Sequence, residues 1–218
     1  MRVLFSRGIV ALSKPRCGST SLRRMLDPLI QPGDIAVNMA GEMPPFHPHL
    51  TAPYLRQVLQ GMGHDLGKTA WMITVRHPIE MLWSYYKYFK PDQNSRYTFS
   101  PKYDPAAPID FEPWVIRGSL YPNRDWMALG PDWVRPDDLS PLSLEFHIEN
   151  RAGQDEVDEI FRIEEPARMT AWLEARTGVP IALKHVNQSH DASLPALGTE
   201  ALDKIRAMMP RESALYGI

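Results

Sequence analysis

A chain of 218 residues, 44% hydrophobic and 23% charged, has the composition of a globular protein long enough to bury a core. Its formal charge of −2 lacks the basic excess that nucleic-acid binding requires, and its single cysteine, Cys17, excludes an internal disulfide and a four-cysteine zinc site. The opening run MRVLFSRGIVALSK is too short and too interrupted by Arg7 to span a membrane, and no small-residue cleavage site makes it a signal peptide. The expectation is one cytoplasmic domain over 1–218.

Ile9 to Leu12 is a short apolar run that reads as a buried strand. A turn-rich stretch, Ser13 to Ser19, leads into a helix whose Leu22, Met25, Leu26 and Leu29 recur at helical spacing until Pro28 disrupts it. Ile35 to Val37 reads as a second strand. Thr51-Ala52-Pro53 is a helix start running to about Gln60. Trp71 to Val75 is the clearest central strand, and Pro78 opens a helix with Ile79, Leu82, Trp83, Tyr86 and Phe89 on one face. Residues 90–137 are rich in proline and aromatic residues, with one short helix at Asp110–Arg117. Then come a helix near Ser140–Asn150, a strand at Glu159–Ile163, a helix at Pro166–Thr177, and a last helix capped at Thr199 with Leu202, Ile205 and Met208/Met209 inward. Strands alternating with helices predict a three-layer α/β fold, a mostly parallel sheet with helices on both faces.

The segment Ser13-Lys14-Pro15-Arg16-Cys17-Gly18-Ser19-Thr20-Ser21 joins the first strand to the first helix. A helix N-terminus offers unpaired N–H groups and a positive dipole end, both suited to phosphate, and Gly18 lets backbone approach closely. A Walker loop would need glycine where Ser13 stands and lysine where Ser19 stands, so an ordinary ATPase is disfavoured. Cys17 and Arg23 have the spacing of a cysteine-dependent phosphatase, whose thiolate the helix dipole and Arg16 would favour. Arg76 follows the central strand, at the carboxyl end where open α/β sheets bind ligands, and Ser84 lies eight residues on. An arginine fork with a hydroxyl suits a second, separate phosphate.

Together, Pro15-Arg16-Cys17-Gly18-Ser19-Thr20-Ser21 and Arg76-His77-Pro78-Ile79-Glu80-Met81-Leu82-Trp83-Ser84-Tyr85-Tyr86 resemble the paired signatures of sulfotransferases that use 3′-phosphoadenosine 5′-phosphosulfate (PAPS). The resemblance is closest to the branch containing the uronyl and heparan-sulfate 2-O-sulfotransferases. Phe111 to Val115, Asp158 to Glu164 and Val186-Asn187-Gln188-Ser189 resemble further segments of that family. The resemblance implies a nucleotide-kinase-like P-loop fold in which Lys14, Arg16, Cys17, Gly18, Ser19, Thr20 and Ser21 hold the 5′-phosphosulfate. It likewise implies that Arg76 and Ser84 hold the 3′-phosphate, with Asn187 near the cofactor. Arg16 stands where the branch has lysine, so Arg16 or Lys14 is expected to stabilise the leaving phosphate.

Phe46-His47-Pro48-His49-Leu50-Thr51 resembles the family's Y-H-G-H-V-S stretch, which implies His49 as catalytic base and His47 as a substrate-side group. Glu42 is the reserve base, His77 is expected to pack or tune beside Arg76, and Tyr85 is expected on the acceptor side. Thirteen of the 21 aromatic residues fall between Trp83 and Trp133, which makes 90–137 a candidate acceptor wall for a sugar or small alcohol. The expected function is transfer of a sulfuryl group from PAPS to a small or carbohydrate acceptor, releasing adenosine 3′,5′-bisphosphate without a metal. A phosphatase using Cys17 and Arg23, and a non-catalytic nucleotide-binding module, are the other readings.

Overall fold

The computed structural model describes residues 1–38, 45–89, 110–117, 139–182 and 194–218. Most of the expected insertion at 90–137 lies outside the described residues, as do Glu42 and Asn187. The described strands are β1 (Arg2–Leu4), β2 (Ile9–Ser13), β3 (Ile35–Ala36), β4 (Ala70–Val75) and β5 (Glu159–Arg162), in the spatial order β3-β1-β2-β4-β5. The helices are α1 (Ser19–Leu26), α2 (Ala52–Gly61), α3 (Pro78–Phe89), α4 (Phe111–Arg117), α5 (Leu144–Ile148), α6 (Pro166–Thr177), α7 (Thr199–Met208) and α8 (Pro210–Tyr216).

The class is α/β, but the sheet is mixed rather than mostly parallel. β2 pairs with β4, and β4 with β5, in parallel, whereas β1 runs antiparallel to both β2 and β3. The difference comes from the first residues, where a single 3₁₀ turn at Phe5–Arg7 reverses the chain. Gly8 ends that turn at φ 62°, and an added Cβ would meet the Lys68 carbonyl at 3.0 Å, so glycine is required there. β1 thereby reaches register with β2, Val3 opposite Val10.

Side chains alternate across the sheet, as strand geometry demands. Ile9, Ala11, Met72 and Phe161 face Leu22, Met25 and Leu26 of α1 and Met169 and Leu173 of α6. Val10, Leu12, Trp71, Ile73 and Val75 face Leu55 and Leu59 of α2 and Leu144 and Ile148 of α5. Helices therefore cover both faces, and each fully buried side chain of this size contributes roughly 1.5–3 kcal/mol. A third cluster packs α3, α4 and α7 together through Leu82, Tyr86, Phe111, Val115, Ala201 and Ile205.

Several boundaries differ from the sequence expectation for local reasons. α5 is a single short helix because Ser143 caps it, its Oγ accepting from the Phe146 N–H at 3.1 Å. Gly198, not Thr199, is the cap residue of α7, and Leu202 is only partly buried while Ala201, Ile205 and Met209 are covered. α8 follows α7 directly as an additional helix, with Pro210 in its first turn. No described helix is long and apolar enough to cross a membrane.

Candidate functional site

The parallel half of the sheet ends at one edge in three connections, after β2, β4 and β5, and the candidate residues gather there. The first connection is a tight turn. The Cys17 N–H donates to the Lys14 carbonyl at 3.2 Å across Pro15 and Arg16, and Arg16 takes φ 62°. Pro followed by a residue of positive φ is the type II arrangement, which favours glycine at the second position. Arg16 is the one described non-glycine residue with positive φ, and an L-residue pays about 1–2 kcal/mol for that conformation. Gly18 follows at φ 74° as the cap residue of α1, and a Cβ there would press on Ile163 at 3.1 Å. Having no side chain, Gly18 offers no cap to the first-turn N–H groups of α1, contributed by Ser19, Thr20 and Ser21. No acidic residue occupies that turn, so the dipole end is open to an anion.

The two motifs meet. Arg16 Nε donates to Ser84 Oγ at 3.0 Å, joining the loop after β2 to the second turn of α3. One turn earlier on α3, Glu80 Oε2 accepts from Arg76 Nε at 3.0 Å and from Arg76 Nη2 at 2.9 Å. Arg76 and Arg16 thus lie along one row of α3, on Glu80 and Ser84. The Arg76–Glu80 pair is partly exposed, and such pairs contribute about 0.3–0.5 kcal/mol, little enough for an anion to displace.

Lys14 is placed differently. Its side chain is 1% exposed, and its ammonium pairs with the equally buried Glu212 of α8 and donates to the Leu142 carbonyl. Burial lowers its pKa to about 8, against the upward pull of Cys17 and Glu145. Stripping one partner from a buried pair costs about 3–5 kcal/mol, so Lys14 serves as the root of the loop while Arg16 is the cation at its surface.

Cys17 is fully buried among α3, α4 and α7, its carbonyl accepting from Thr74 Oγ1 at 2.8 Å. Burial pushes its thiol up to about 11, the opposite of what a thiolate nucleophile needs. Arg23 directs its guanidinium to the Asn38 carbonyl at 2.9 Å and to Thr20 Oγ1, so the structure does not bring the thiol and this arginine together. Tyr85 is also in the core, 2% exposed beside Met81, because positions 81, 82, 85 and 86 form the buried stripe of α3.

The histidines lie against the root of the loop. His49 Nδ1 is 3.0 Å from the Ser13 carbonyl, which can only accept, so Nδ1 carries the proton and Nε2 is left as the lone-pair nitrogen. His47 is buried, and its Nδ1 accepts from the His49 N–H at 3.2 Å. Burial lowers His49 to about 3 and His47 to about 4, and it lowers His147 of α5 well below the usual value. Lys14 and His49 both push His147 in the same direction, which locates it near this cluster. His77, after β4, donates its N–H to Glu164 at 2.9 Å and stands edge-on to Tyr216.

These neutral histidines make stability pH-dependent. The unfolded chain binds a proton near pH 6.5 and the folded chain only near pH 4 or below. Stability is therefore full above 6.5 and lost as pH falls through that window. Between pH 7 and 5, His47 should remove on the order of 2 kcal/mol, and the buried His147 adds to the loss in the same direction. Urea midpoints at pH 7, 6 and 5 check this, and an unchanged midpoint would refute neutral burial.

Glu145, His147, Glu164, Glu212 and Tyr216 carried no assigned role in the sequence reading. Glu164 alone had a signal, in the Asp158–Glu164 match. Among the described residues no group of three or more His, Cys, Asp or Glu is placed to hold a metal ion. A cavity of about 460 Å³ opens on Phe5, Asp34, His64 and Lys68, and no candidate residue lines it. No family model, no curated protein and no solved structure matches the chain.

Proposed function

We propose that the protein is a PAPS-dependent sulfotransferase of P-loop nucleotide-kinase-like fold, moving a sulfuryl group to a hydroxyl of a small or carbohydrate acceptor in the cytoplasm. The observation that carries this reading is the Arg16–Ser84 contact, which joins two motifs 68 residues apart at one end of the sheet. The uncapped start of α1 and the Arg16 guanidinium fit the 5′-phosphosulfate; Arg76 and Ser84 fit the 3′-phosphate. PAPS would supply an activated sulfuryl group on a phosphate leaving group.

The chain's own residues do the rest. First-turn N–H groups of α1 bind negative charge, and Arg16, charged at any relevant pH, stabilises it on the leaving side. His49 Nε2 takes the acceptor's proton, while the Ser13 carbonyl holds the ring in the required tautomer. In the free protein this imidazole is neutral but weakly basic, and negative charge brought to the loop raises its basicity. The buried, protonated thiol of Cys17 speaks against the phosphatase reading.

Adenosine 3′,5′-bisphosphate tests the reading without an acceptor. At about 100 times its Kd it should stabilise the protein by roughly 2.7 kcal/mol, read as a thermal shift. AMP and ATP should bind far more weakly, and magnesium should not be required. Equal binding of ATP and the bisphosphate would remove the case for a separate 3′-phosphate clamp.

A further inference from the structure

α8 bore no functional mark in the sequence, yet two of its side chains end at the candidate site. Glu212 and Tyr216 are four residues apart and share a helix face. Glu212 pairs with Lys14 at the root of the loop after β2. Tyr216 Oη donates to Glu164 Oε2 at 2.6 Å, just after β5. The other oxygen of Glu164 accepts the N–H of His77, just after β4, whose ring meets Tyr216 edge-on at 5.2 Å. One face of one helix therefore ties together all three strand-end connections.

The helix is itself anchored from the neighbouring side. Arg211 forms a fork with Asp155 at 2.6 and 2.8 Å, reaches Glu149 at 3.2 Å, and donates its N–H to Glu145. These contacts hold α8 to α5 and the turn that follows it, and α8 also packs against α3. Such bracing has a purpose at a loop carrying a left-handed arginine, because strained backbone persists only where its surroundings over-determine it. Lys14 precedes the strained residue by two positions and is held by Glu212. Cys17 follows it and is held through Thr74.

Building on the sulfotransferase reading, we propose that α8 is a latch on the anion loop, with Glu212 and Tyr216 as positioning residues that hold it in its donor-binding arrangement. Glu212 acts through Lys14 and Tyr216 through Glu164.

The single cysteine supplies a reporter. Cys17 is fully buried where the loop meets α3, α4 and α7, so a thiol reagent reaches it under native conditions only when the loop parts from that cluster. Tyr216→Phe removes one hydroxyl and keeps the ring on His77; Glu212→Gln removes the charge opposite Lys14. Each should raise the native labelling rate of Cys17 at least about tenfold, the scale expected for losing a hydrogen bond to a charged group. Each should also weaken adenosine 3′,5′-bisphosphate, measured by calorimetry, by at least about fivefold. Arg206→Ala, at an exposed position on the outer side of α7 where it pairs only with Asp203 of the same helix among the described contacts, serves as the control and should change neither. Labelling of Tyr216→Phe at the wild-type rate overturns the latch, as does faster labelling fully accounted for by loss of global stability in urea. If Glu212→Gln fails to fold, Tyr216→Phe decides alone. If the wild-type protein does not bind the bisphosphate, the donor reading falls, while the labelling result still decides whether α8 holds the loop.

Discussion

His49→Ala is expected to lower turnover by about 10²–10⁴-fold at saturating donor while leaving the Kd for adenosine 3′,5′-bisphosphate nearly unchanged. The ring is fixed by its Nδ1 bond to the Ser13 carbonyl, at the root of the loop and away from α3, where Arg76 lies on Glu80. On the sulfotransferase proposal, removing the imidazole deletes the proton acceptor and leaves the proposed phosphate contacts in place. Arg76→Ala should reverse the pattern, weakening the bisphosphate first, since it removes a guanidinium that carries no proton-transfer role. His47→Ala should be milder, because His47 is buried and faces His49 through its Nδ1. Labelled PAPS with a screened panel of sugars and small alcohols provides the turnover assay. Near wild-type turnover in His49→Ala would return the base to His47 or Glu42 and weaken the likeness to the 2-O-sulfotransferase branch.

Arg16→Gly is expected to be more stable than Arg16→Ala while binding the donor just as poorly. The backbone at this position, φ 62°, is one glycine adopts freely and an L-residue adopts at a cost of about 1–2 kcal/mol. Both variants lose the Arg16–Ser84 hydrogen bond, and glycine makes the unfolded chain more flexible, so Arg16→Gly should exceed Arg16→Ala in stability by about 0.5–1 kcal/mol. Loss of the guanidinium should meanwhile weaken the bisphosphate or PAPS by about 10–100-fold, the scale of a hydrogen bond to a charged group. Arg16→Ala separates the two effects, since it loses the charge and keeps the strain. Urea denaturation and calorimetry on the three proteins decide it. An Arg16→Gly no more stable than Arg16→Ala, or one that binds the donor as tightly as wild type, would show that Arg16 is held there for another reason.

Much of the fold was legible because its signals are local. β2 and β4 are apolar, partly β-branched runs, β5 carries Ile160-Phe161 between two charged residues, and α2, α3 and α6 begin with a proline within their first two positions. β1 was not, since three residues are too few to show alternation and its pairing depends on the turn ending at Gly8. The loop after β2 and the arginine after β4 were legible for the same local reason, as turn chemistry and cations adjoin strand ends. The direction of Lys14 was not, because its partner, Glu212, lies in a first helical turn, where an acid reads as an exposed dipole companion. Tyr85 is a different case. The sequence reading set Ile79, Leu82, Trp83, Tyr86 and Phe89 on the inner face of α3, whereas the buried stripe is turned to Met81, Leu82, Tyr85 and Tyr86, with Ile79 and Trp83 only partly buried, so Tyr85 packs in the core and not on the acceptor side.

The Lys14–Glu212 pair spans 198 positions of the chain, and that separation sets an order of assembly. A growing polypeptide can pair β1, β2 and β4 and dock α1 and α2 long before residue 212 has been synthesised, and domains do begin to organise during synthesis. Until then the ammonium of Lys14 has no carboxylate from α8, and a buried cation without a partner is strongly disfavoured. The loop after β2 is therefore among the first segments made and among the last to reach its final form. A nascent or truncated chain ending before α8 would carry a nearly complete sheet whose loop-bearing end is still unfinished.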